Sequence, residues 1–240
     1  MPSWDRFLTA QDQRLLRTWK KTVPDGAGEK PALLIIDAYY EALGLDREPL
    51  EESVRRWPMS CGLAGWEAID RTAGVLNEAR EQQLPIIFTR NIEGFPSPWV
   101  RWNDTRRTDL THLTGEERAL RNQIVEELAP RDGELIIEKA AASAFSGTPL
   151  LFHLTYLGVD TVIVCGETTS GCVRASVVDG CTARFRMLIV GDCCFDRIEA
   201  SHEINLFDMH MKYGDVIDAA GAVEYIRSVV ADRDRTVRIR

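Results

Sequence analysis

Five short apolar runs alternate with stretches of helical character, and this alternation restricts the chain to a narrow group of folds. The apolar runs, each typical of a buried strand, cover residues 32–37, 85–89, 134–138, 160–165 and 186–190. The helical stretches between them include residues 66–83, 116–129, 149–157 and 172–181. Strands and helices that alternate in this way form βαβ units around a parallel sheet. The pattern therefore predicts an α/β fold, a three-layer αβα sandwich with a mostly parallel central sheet.

Length and composition suit one domain that spans residues 1–240. Of the 240 residues, 45% are hydrophobic and 28% are charged, which is ordinary for a globular protein. Residues 1–29 precede the first strand and are predicted to form a helical N-terminal extension. A long loop is predicted over residues 91–109, and residues 232–240 are expected to fray or to pack on a neighbouring subunit.

The charge of the chain excludes some classes of partner. A formal net charge of −8 argues against nucleic acids and anionic membranes, which both attract basic surfaces. No apolar run approaches the roughly 18 residues of a membrane span, and the first five residues lack the layout of a signal peptide. We therefore expect a cytoplasmic protein with a small-molecule partner.

The segment from Thr161 to Ser176 carries the strongest chemical signal, because an apolar strand runs into a glycine-marked turn that delivers Cys172 to the start of a helix. Unpaired backbone N–H groups at a helix N-terminus favour negative charge and lower the pKa of a thiol. A cysteine near a sheet edge can equally be a small core residue. Taken alone, Cys172 fits either interpretation.

Two charged residues close other predicted strands and favour the reactive interpretation. Asp37 ends the first apolar run, and Lys139 follows the third. Polar residues often end strands for structural reasons alone. The carboxyl ends of parallel strands open onto one edge of a sheet, however, and ligand sites form there. We therefore expect Asp37, Lys139 and Cys172 to share one pocket.

Four segments of the chain resemble the isochorismatase-like cysteine hydrolases, and within them the branch of N-carbamoylsarcosine amidohydrolase, maleamate amidohydrolase and biuret hydrolase. These segments are Pro31–Asp37, Leu84–Arg90, Glu138–Phe145 and Gly166–Ser176, within a likeness that spans residues 30–230. The resemblance implies that Asp37, Lys139 and Cys172 form a catalytic triad. It also implies a cis peptide bond between Glu167 and Thr168, which would aim the Thr168 N–H, beside that of Cys172, at a developing oxyanion.

Further residues are candidates for substrate contacts. Arg197 lies 25 residues beyond Cys172, where the resemblance implies a residue that binds a substrate carboxylate; a surface arginine paired with a neighbouring acid is the alternative. Arg90 and Trp102 could line the pocket, as could Phe145 at the end of the third segment. Loops of this family often pack across subunits, so we expect a homo-oligomer, a tetramer.

The resemblance implies a cysteine-dependent amidohydrolase that cleaves a C–N bond of a small carboxamide or N-carbamoyl compound, through a thioester and with release of ammonia. An N-carbamoylsarcosine-like substrate is the first expectation, with biuret, maleamate and ureidoacrylate as alternatives. A non-catalytic α/β binding protein is the alternative from a different class. A thiol-transfer protein ranks last, because Cys165 lies inside a strand and is poorly placed as a resolving cysteine.

No cofactor and no metal site are expected. The six cysteines lack the CxxC spacing of zinc and redox sites. Nicotinamidases, which are relatives within the resembled group, bind a metal through an Asp-x-His motif and a further histidine. We expect no such metal site here.

Overall fold

The computed structural model describes residues 3–19, 24–92 and 111–237, and six strands within these ranges form one sheet. They are β1 (Pro31–Ile36), β2 (Ile86–Asn91), β3 (Leu135–Lys139), β4 (Thr161–Glu167), β5 (Arg186–Phe195) and β6 (Asp215–Ile217). Every described strand pair is parallel, and the strand order is β3-β2-β1-β4-β5-β6. The predicted α/β fold with a parallel sheet is confirmed.

Helices connect these strands. They are α1 (Ala10–Trp19), α2 (Tyr40–Leu43), α3 (Leu50–Arg56), α4 (Gly62–Glu81), α5 (Gly115–Leu120), α6 (Leu150–Tyr156), α7 (Arg174–Thr182), α8 (Glu199–Lys212) and α9 (Ala219–Val237). Two 3₁₀ turns cover Ser3–Phe7 and Glu126–Leu128, and a π-helical turn covers Thr169–Val173. A search of the described residues finds no helix with the length and apolarity that a membrane crossing needs.

The sheet is buried on both faces, which explains why its strands are continuous apolar runs rather than alternating ones. In β1, Leu33 and Ile35 face one hydrophobic cluster, whereas Leu34 and Ile36 face the other. Helices α4 and α9 cover the first face, and α6, α7 and α8 cover the second. The side chains that cover the two faces include Ile69, Leu76, Ala222, Ile226, Leu150, Leu154, Val177, Leu206 and Met209. The result is the expected three layers.

The N-terminal segment packs against α8. Its described part is helical over Ser3–Phe7 and in α1, whereas the described residues 24–30 form no helix. Trp4 is buried in the second cluster, and Ser3 Oγ donates a hydrogen bond to Glu203 Oε2 at 2.6 Å.

One predicted helix is broken in the structure. Instead of one helix over residues 116–129, α5 ends at Leu120 and a 3₁₀ turn follows at Glu126–Leu128. The chain between them pairs with the segment after β1, because Gln123 O accepts from Tyr40 N and Val125 N donates to Ala38 O. Long-range hydrogen bonds therefore replace the bonds of a continuous helix. Strand β6 was not predicted, since three residues are too few for a recognisable pattern.

The carboxyl ends of β1 and β4 form the centre of the sheet edge at which the strand order reverses, the usual position of ligand sites in open α/β sheets. Gly166 near the end of β4 has φ +113°, and a Cβ there would lie 2.0 Å from Ile36 O. Only glycine allows β4 to approach β1 this closely. The backbones that carry the predicted catalytic residues are thereby held side by side.

Candidate active site

Three predicted residues meet at the carboxyl edge of the sheet. Lys139 Nζ lies 2.7 Å from Asp37 Oδ2 and donates a hydrogen bond to Cys172 Sγ at 3.3 Å. Asp37 follows β1, Lys139 ends β3, and Cys172 follows β4. A lysine, a carboxylate and a thiol from three separate chain segments therefore form one connected group.

Asp37 is entirely removed from solvent and is held by Thr89 as well as by Lys139. Thr89 Oγ1 donates to Asp37 Oδ1 at 2.7 Å, and Asp37 N donates to Thr89 Oγ1 at 3.2 Å. The residue has φ +52°, a left-handed conformation that aspartate tolerates better than most residues. Oδ2 approaches Lys139 but accepts no well-aligned hydrogen bond from the described residues. The two carboxylate oxygens therefore have different partners, since Oδ1 accepts from the Thr89 hydroxyl and Oδ2 pairs with the Lys139 ammonium.

Lys139 is also buried, and its Nζ donates to Ala141 O at 3.3 Å. Burial by itself would lower the pKa of this ammonium. The negative charges of Asp37 and Cys172 outweigh burial, however, and raise the Lys139 pKa above its ordinary value. Lys139 therefore remains charged at neutral pH.

Cys172 lies in the π-helical turn Thr169–Val173, which runs directly into α7. A π-helical turn at the head of a helix is a common feature of functional sites. Burial, followed by the charge of Asp37, raises the pKa of the Cys172 thiol to about 12, and Lys139 only partly offsets them. The low pKa expected from the helix start is therefore wrong for this site, in which Cys172 rests as a thiol.

Contacts from α8, α7 and the end of β5 hold the Cys172 turn in place. Asp196 Oδ2 accepts from Ser170 N at 2.9 Å and from Ser170 Oγ at 2.7 Å. His202 Nδ1 lies 2.8 Å from Thr169 Oγ1. Ser176 Oγ donates to Cys172 O at 2.7 Å. The sequence patterns pointed to none of these supports, and the contacts of Asp196 and His202 join residues far apart in the chain.

The Glu167–Thr168 peptide bond is cis, as the resemblance implied. The Glu167 side chain is buried and lies beside Arg197 rather than in solvent. Arg197 Nη2 donates to Glu167 Oε2 at 3.1 Å and also to Met59 O, and Nη1 donates to Thr168 Oγ1 at 3.3 Å. The alternative of a surface arginine paired with Asp196 or Glu199 is wrong, because Arg197 is largely buried and its ion pair is with Glu167.

The other described candidates for substrate contact, Arg90 and Phe145, form no hydrogen bond or ion pair with the triad that the structure records. Arg90 forms an ion pair with Glu138 at 2.7 Å and is partly exposed. Its neighbour Thr89 faces Asp37, and successive residues of a strand point to opposite faces, so Arg90 points away from Asp37. Phe145 packs against Phe185 with ring centroids 6.0 Å apart, inside the second hydrophobic cluster. Trp102 and most of the predicted loop over residues 91–109 lie outside the described residues.

Tyr39 is a residue of this region that the sequence reasoning missed. It is buried two residues after Asp37, and its hydroxyl accepts from Asn91 Nδ2 at 2.8 Å. Burial, then the charges of Asp37, Glu167 and Cys172, raise the pKa of Tyr39 well above its ordinary value. Its phenol therefore stays neutral beside the triad.

The Asp-x-His spacing of the nicotinamidase metal motif does occur, at Asp208 and His210 in α8. Both side chains serve packing and capping: Asp208 pairs with Lys212 at 2.6 Å, and His210 Nδ1 accepts from Val216 N at 3.2 Å. Across the three described ranges, no group of three or more His, Cys, Asp or Glu side chains is arranged to hold a metal ion.

Comparison with known proteins identifies the family. The Isochorismatase domain family matches residues 51–221. The chain belongs to the isochorismatase family. Maleamate amidohydrolase of Pseudomonas putida is 36% identical over 208 residues, which cover 84% of this chain and 89% of that protein. N-carbamoylsarcosine amidase of Arthrobacter sp. is 36% identical over 172 residues, which cover 70% of this chain and 64% of that protein.

A solved structure shows the same fold. The cysteine hydrolase from Pseudomonas syringae pv. phaseolicola superposes with a TM-score of 0.73 and 20% identity, over 88% of this chain and 99% of that one. Membership of the isochorismatase family confirms the resemblance indicated by the four segments. Lys139 and Cys172 fall within the matched residues 51–221, whereas Asp37 precedes them and reaches the site through the pairing of β1 with β4.

Proposed function

We propose that this protein is a cysteine-dependent amidohydrolase that cleaves a C–N bond of a small carboxamide or N-carbamoyl compound and releases ammonia. As an amidohydrolase of the isochorismatase family, it hydrolyses a non-peptide C–N bond in a linear amide. The observation that carries the cysteine mechanism is the Lys139 ammonium, which contacts the Asp37 carboxylate at 2.7 Å and the Cys172 thiol at 3.3 Å.

In the first half of the reaction, Asp37 acts as the general base. It takes the proton of the Cys172 thiol as Sγ attacks the carbonyl carbon of the amide. Because the Cys172 pKa is raised to about 12, the thiol needs such a base at neutral pH. Asp37 then gives this proton to the departing nitrogen, so that ammonia leaves and a thioester to Cys172 remains.

In the second half, the same carboxylate activates water. Asp37 accepts a proton from the water molecule as its oxygen attacks the thioester carbon. The C–S bond breaks, the acid product leaves, and the proton returns to Cys172 Sγ. One carboxylate therefore serves both halves, and the free energy barrier is divided between two smaller steps.

Electrostatic stabilisation comes from Lys139 and from the chain around the Cys172 turn. The Lys139 ammonium lies next to both groups that carry negative charge during the cycle. We assign the N–H groups of Thr168 and Cys172 to the oxyanion of the tetrahedral intermediate, beside the N-terminal end of a helical segment. Each such donor is worth about 10²–10³-fold in kcat.

An N-carbamoyl amino acid such as N-carbamoylsarcosine is the substrate class that we propose first, with maleamate and ureidoacrylate as alternatives. All three carry a carboxylate that Arg197 could bind. A neutral ureide such as biuret is a further alternative. The Glu167 carboxylate already neutralises the charge of the Arg197 guanidinium, so the pair favours an uncharged substrate.

A non-catalytic binding protein would have the same fold but no use for a proton acceptor beside the thiol. The contact of the Lys139 ammonium with both a buried carboxylate and a thiol supports a chemical role instead. We also propose a cytoplasmic homotetramer, whose subunit number light scattering of the full chain would measure.

The test is ammonia release by the wild-type protein and by Cys172→Ala against N-carbamoylsarcosine, maleamate, ureidoacrylate, biuret and nicotinamide. Cys181→Ala is the matched control, because Cys181 is also half-buried but lies near the far end of α7. We expect at least one compound to be hydrolysed by the wild type and by Cys181→Ala, and not by Cys172→Ala. Equal silence of all three proteins on every compound would favour the binding protein.

A further inference from the structure

Glu167 forms an ion pair with the residue that is the strongest candidate for substrate recognition. Its Oε2 accepts from Arg197 Nη2 at 3.1 Å and from Thr168 Oγ1 at 2.9 Å. The exposed side-chain fractions are 7% for Glu167 and 21% for Arg197. Glu167 is therefore the inner member of the pair, and Arg197 is the member that a ligand can reach.

Arg197 has hydrogen-bonding capacity left. A guanidinium carries five N–H donors, and contacts from the described residues use three of them, to Glu167, Thr168 and Met59. Arg197 Nε is buried and has no acceptor among the described residues. Arg197 Nη1 also has one N–H donor left, so a second acceptor at the more exposed end of the guanidinium need not displace the carboxylate of Glu167.

The charges around Glu167 make a further anion unfavourable. Apart from Arg197, the ionisable groups that face the Glu167 carboxyl are Asp37, Tyr39, Cys61 and Cys172. None of these four can add positive charge. The Lys139 ammonium is already paired with Asp37 at 2.7 Å. A substrate carboxylate at Arg197 would thus place two carboxylates on one guanidinium, in a buried site where like charges repel strongly.

We propose that Glu167 couples substrate charge to proton uptake: an anionic substrate binds Arg197 only as Glu167 takes up a proton, whereas a neutral amide binds with the Glu167–Arg197 ion pair intact. This inference rests on the proposed amidohydrolase function and names a specificity-determining residue for it. The proton comes from solvent, so one substrate anion and one proton enter together and the net charge of the site does not change.

Glu167 titrates in a range that experiment can reach. Burial is the largest cause that raises its pKa and the Asp37 charge adds to it, while Arg197 opposes both, so that the pKa is about 7. Burial raises the Cys172 pKa to about 12 and lowers that of nearby His202 below its ordinary value, so neither of these groups titrates between pH 7 and 8.5.

The experiment measures steady-state kinetics from pH 6 to 8.5 with maleamate as the anion and biuret as the neutral amide. Whichever compound is hydrolysed serves as the reporter, and the other is measured as an inhibitor. The KM or inhibition constant of maleamate should rise about thirtyfold over this range, as expected for a group with a pKa of about 7. The constant for biuret should stay level.

Two variants assign the effect. Glu167→Gln removes the titrating carboxyl and should make the constant for maleamate independent of pH. Glu78→Gln is the matched control, because Glu78 is also a buried glutamate paired with an arginine, Arg227 at 2.6 Å, outside this site. It should retain the wild-type pH profile. Calorimetric binding of maleamate to Cys172→Ala at pH 8, in two buffers of different ionisation enthalpy, should show uptake of about one proton.

The possible failures are distinct. Suppose that either compound is hydrolysed but the constant for maleamate does not change with pH, or changes equally in the wild type and in Glu167→Gln. Either result would overturn the role of Glu167 and leave the amidohydrolase function intact. If no compound of the panel is hydrolysed, the proposed function is overturned, and the inference with it. If Glu167→Gln does not fold, a wild-type constant for maleamate that stays level with pH still overturns the inference, and the proton uptake measured by calorimetry in Cys172→Ala tests it independently.

Discussion

The Lys139 ammonium lies 2.7 Å from the Asp37 carboxylate, and their side chains are only 2% and 0% exposed. Two charges so far from water stabilise each other, and removal of either leaves the other buried without a counter-charge. Such a loss typically costs about 3–5 kcal/mol of folding free energy. The pair therefore links catalytic chemistry to stability.

Asp37→Asn and Lys139→Met should each lower the free energy of unfolding by about 3–5 kcal/mol, because each leaves one buried charge alone. The double variant should lose clearly less than the sum of the two, because no unpaired charge remains. Urea unfolding of the four proteins at pH 7 measures this coupling. Strictly additive losses would mean that the two groups do not interact in solution.

The same Asp37→Asn variant should lower kcat by about 10²–10⁴-fold, the usual contribution of a general base. Asparagine keeps the size of the side chain but cannot take the Cys172 proton. The assay is ammonia release on the best compound of the panel, with circular dichroism to show that the variant is folded. A folded variant with wild-type kcat would exclude Asp37 as the base.

Gly166→Ala should destabilise the protein by roughly 2–4 kcal/mol, because the added Cβ would collide with Ile36 O at 2.0 Å in a conformation with φ +113°. Gly74→Ala is the control, since that glycine lies in α4 with nothing within 4 Å of an added Cβ. Alanine there should stabilise the helix by about 0.5–1 kcal/mol. Thermal unfolding compares them, and a neutral Gly166→Ala would contradict the close approach of β4 to β1.

Alkylation of Cys172 by iodoacetamide should accelerate about tenfold per pH unit from pH 7 to 10 without levelling off, because only the thiolate reacts and the Cys172 pKa is about 12. Mass spectrometry of the Cys172 peptide follows the rate. Asp37→Asn should react faster than the wild type at pH 8, since the Asp37 charge raises that pKa. A plateau below pH 8 in the wild type would show a resting thiolate.

Glu167 should make the folded state less stable as the pH rises. Its folded pKa of about 7 lies above the ordinary 4.5, so the folded protein binds this proton more tightly than the unfolded chain does. That contribution is fully present below pH 4.5 and is lost as the pH rises through 7. Between pH 5 and 8.5 the wild type should lose about 2–3 kcal/mol relative to Glu167→Gln. Parallel pH profiles in urea unfolding would contradict the raised pKa.

Strands β1–β5 and the residues of the proposed triad could be predicted because both leave local signals. A strand buried on both faces must be apolar throughout, so β1 and β4 are visible as runs, and Asp37 is visible as the polar residue that closes one. Parallel strands then require their carboxyl ends to meet at one edge. The convergence of Asp37, Lys139 and Cys172 follows from this topology without any long-range information.

The raised Cys172 pKa and the contacts of Arg197 could not be predicted, because they depend on the surroundings rather than on spacing. The helix start at Cys172 suggested a low pKa, but desolvation and the nearby Asp37 charge outweigh the field of the helix. The sequence marks Glu167 only through the cis peptide bond that the resemblance implies. Its ion pair with Arg197 joins the ends of β4 and β5, and no sequence periodicity records such a contact.

Mass spectrometry of the enzyme, quenched in acid within milliseconds of mixing with its best substrate, tests the cysteine mechanism most directly. We expect a covalent acyl or carbamoyl adduct on the peptide that contains Cys172. This adduct should decay at the rate of turnover and be absent from Cys172→Ala. Undiminished ammonia release by Cys172→Ala, or turnover by the wild type with an adduct confined to another cysteine, would contradict it.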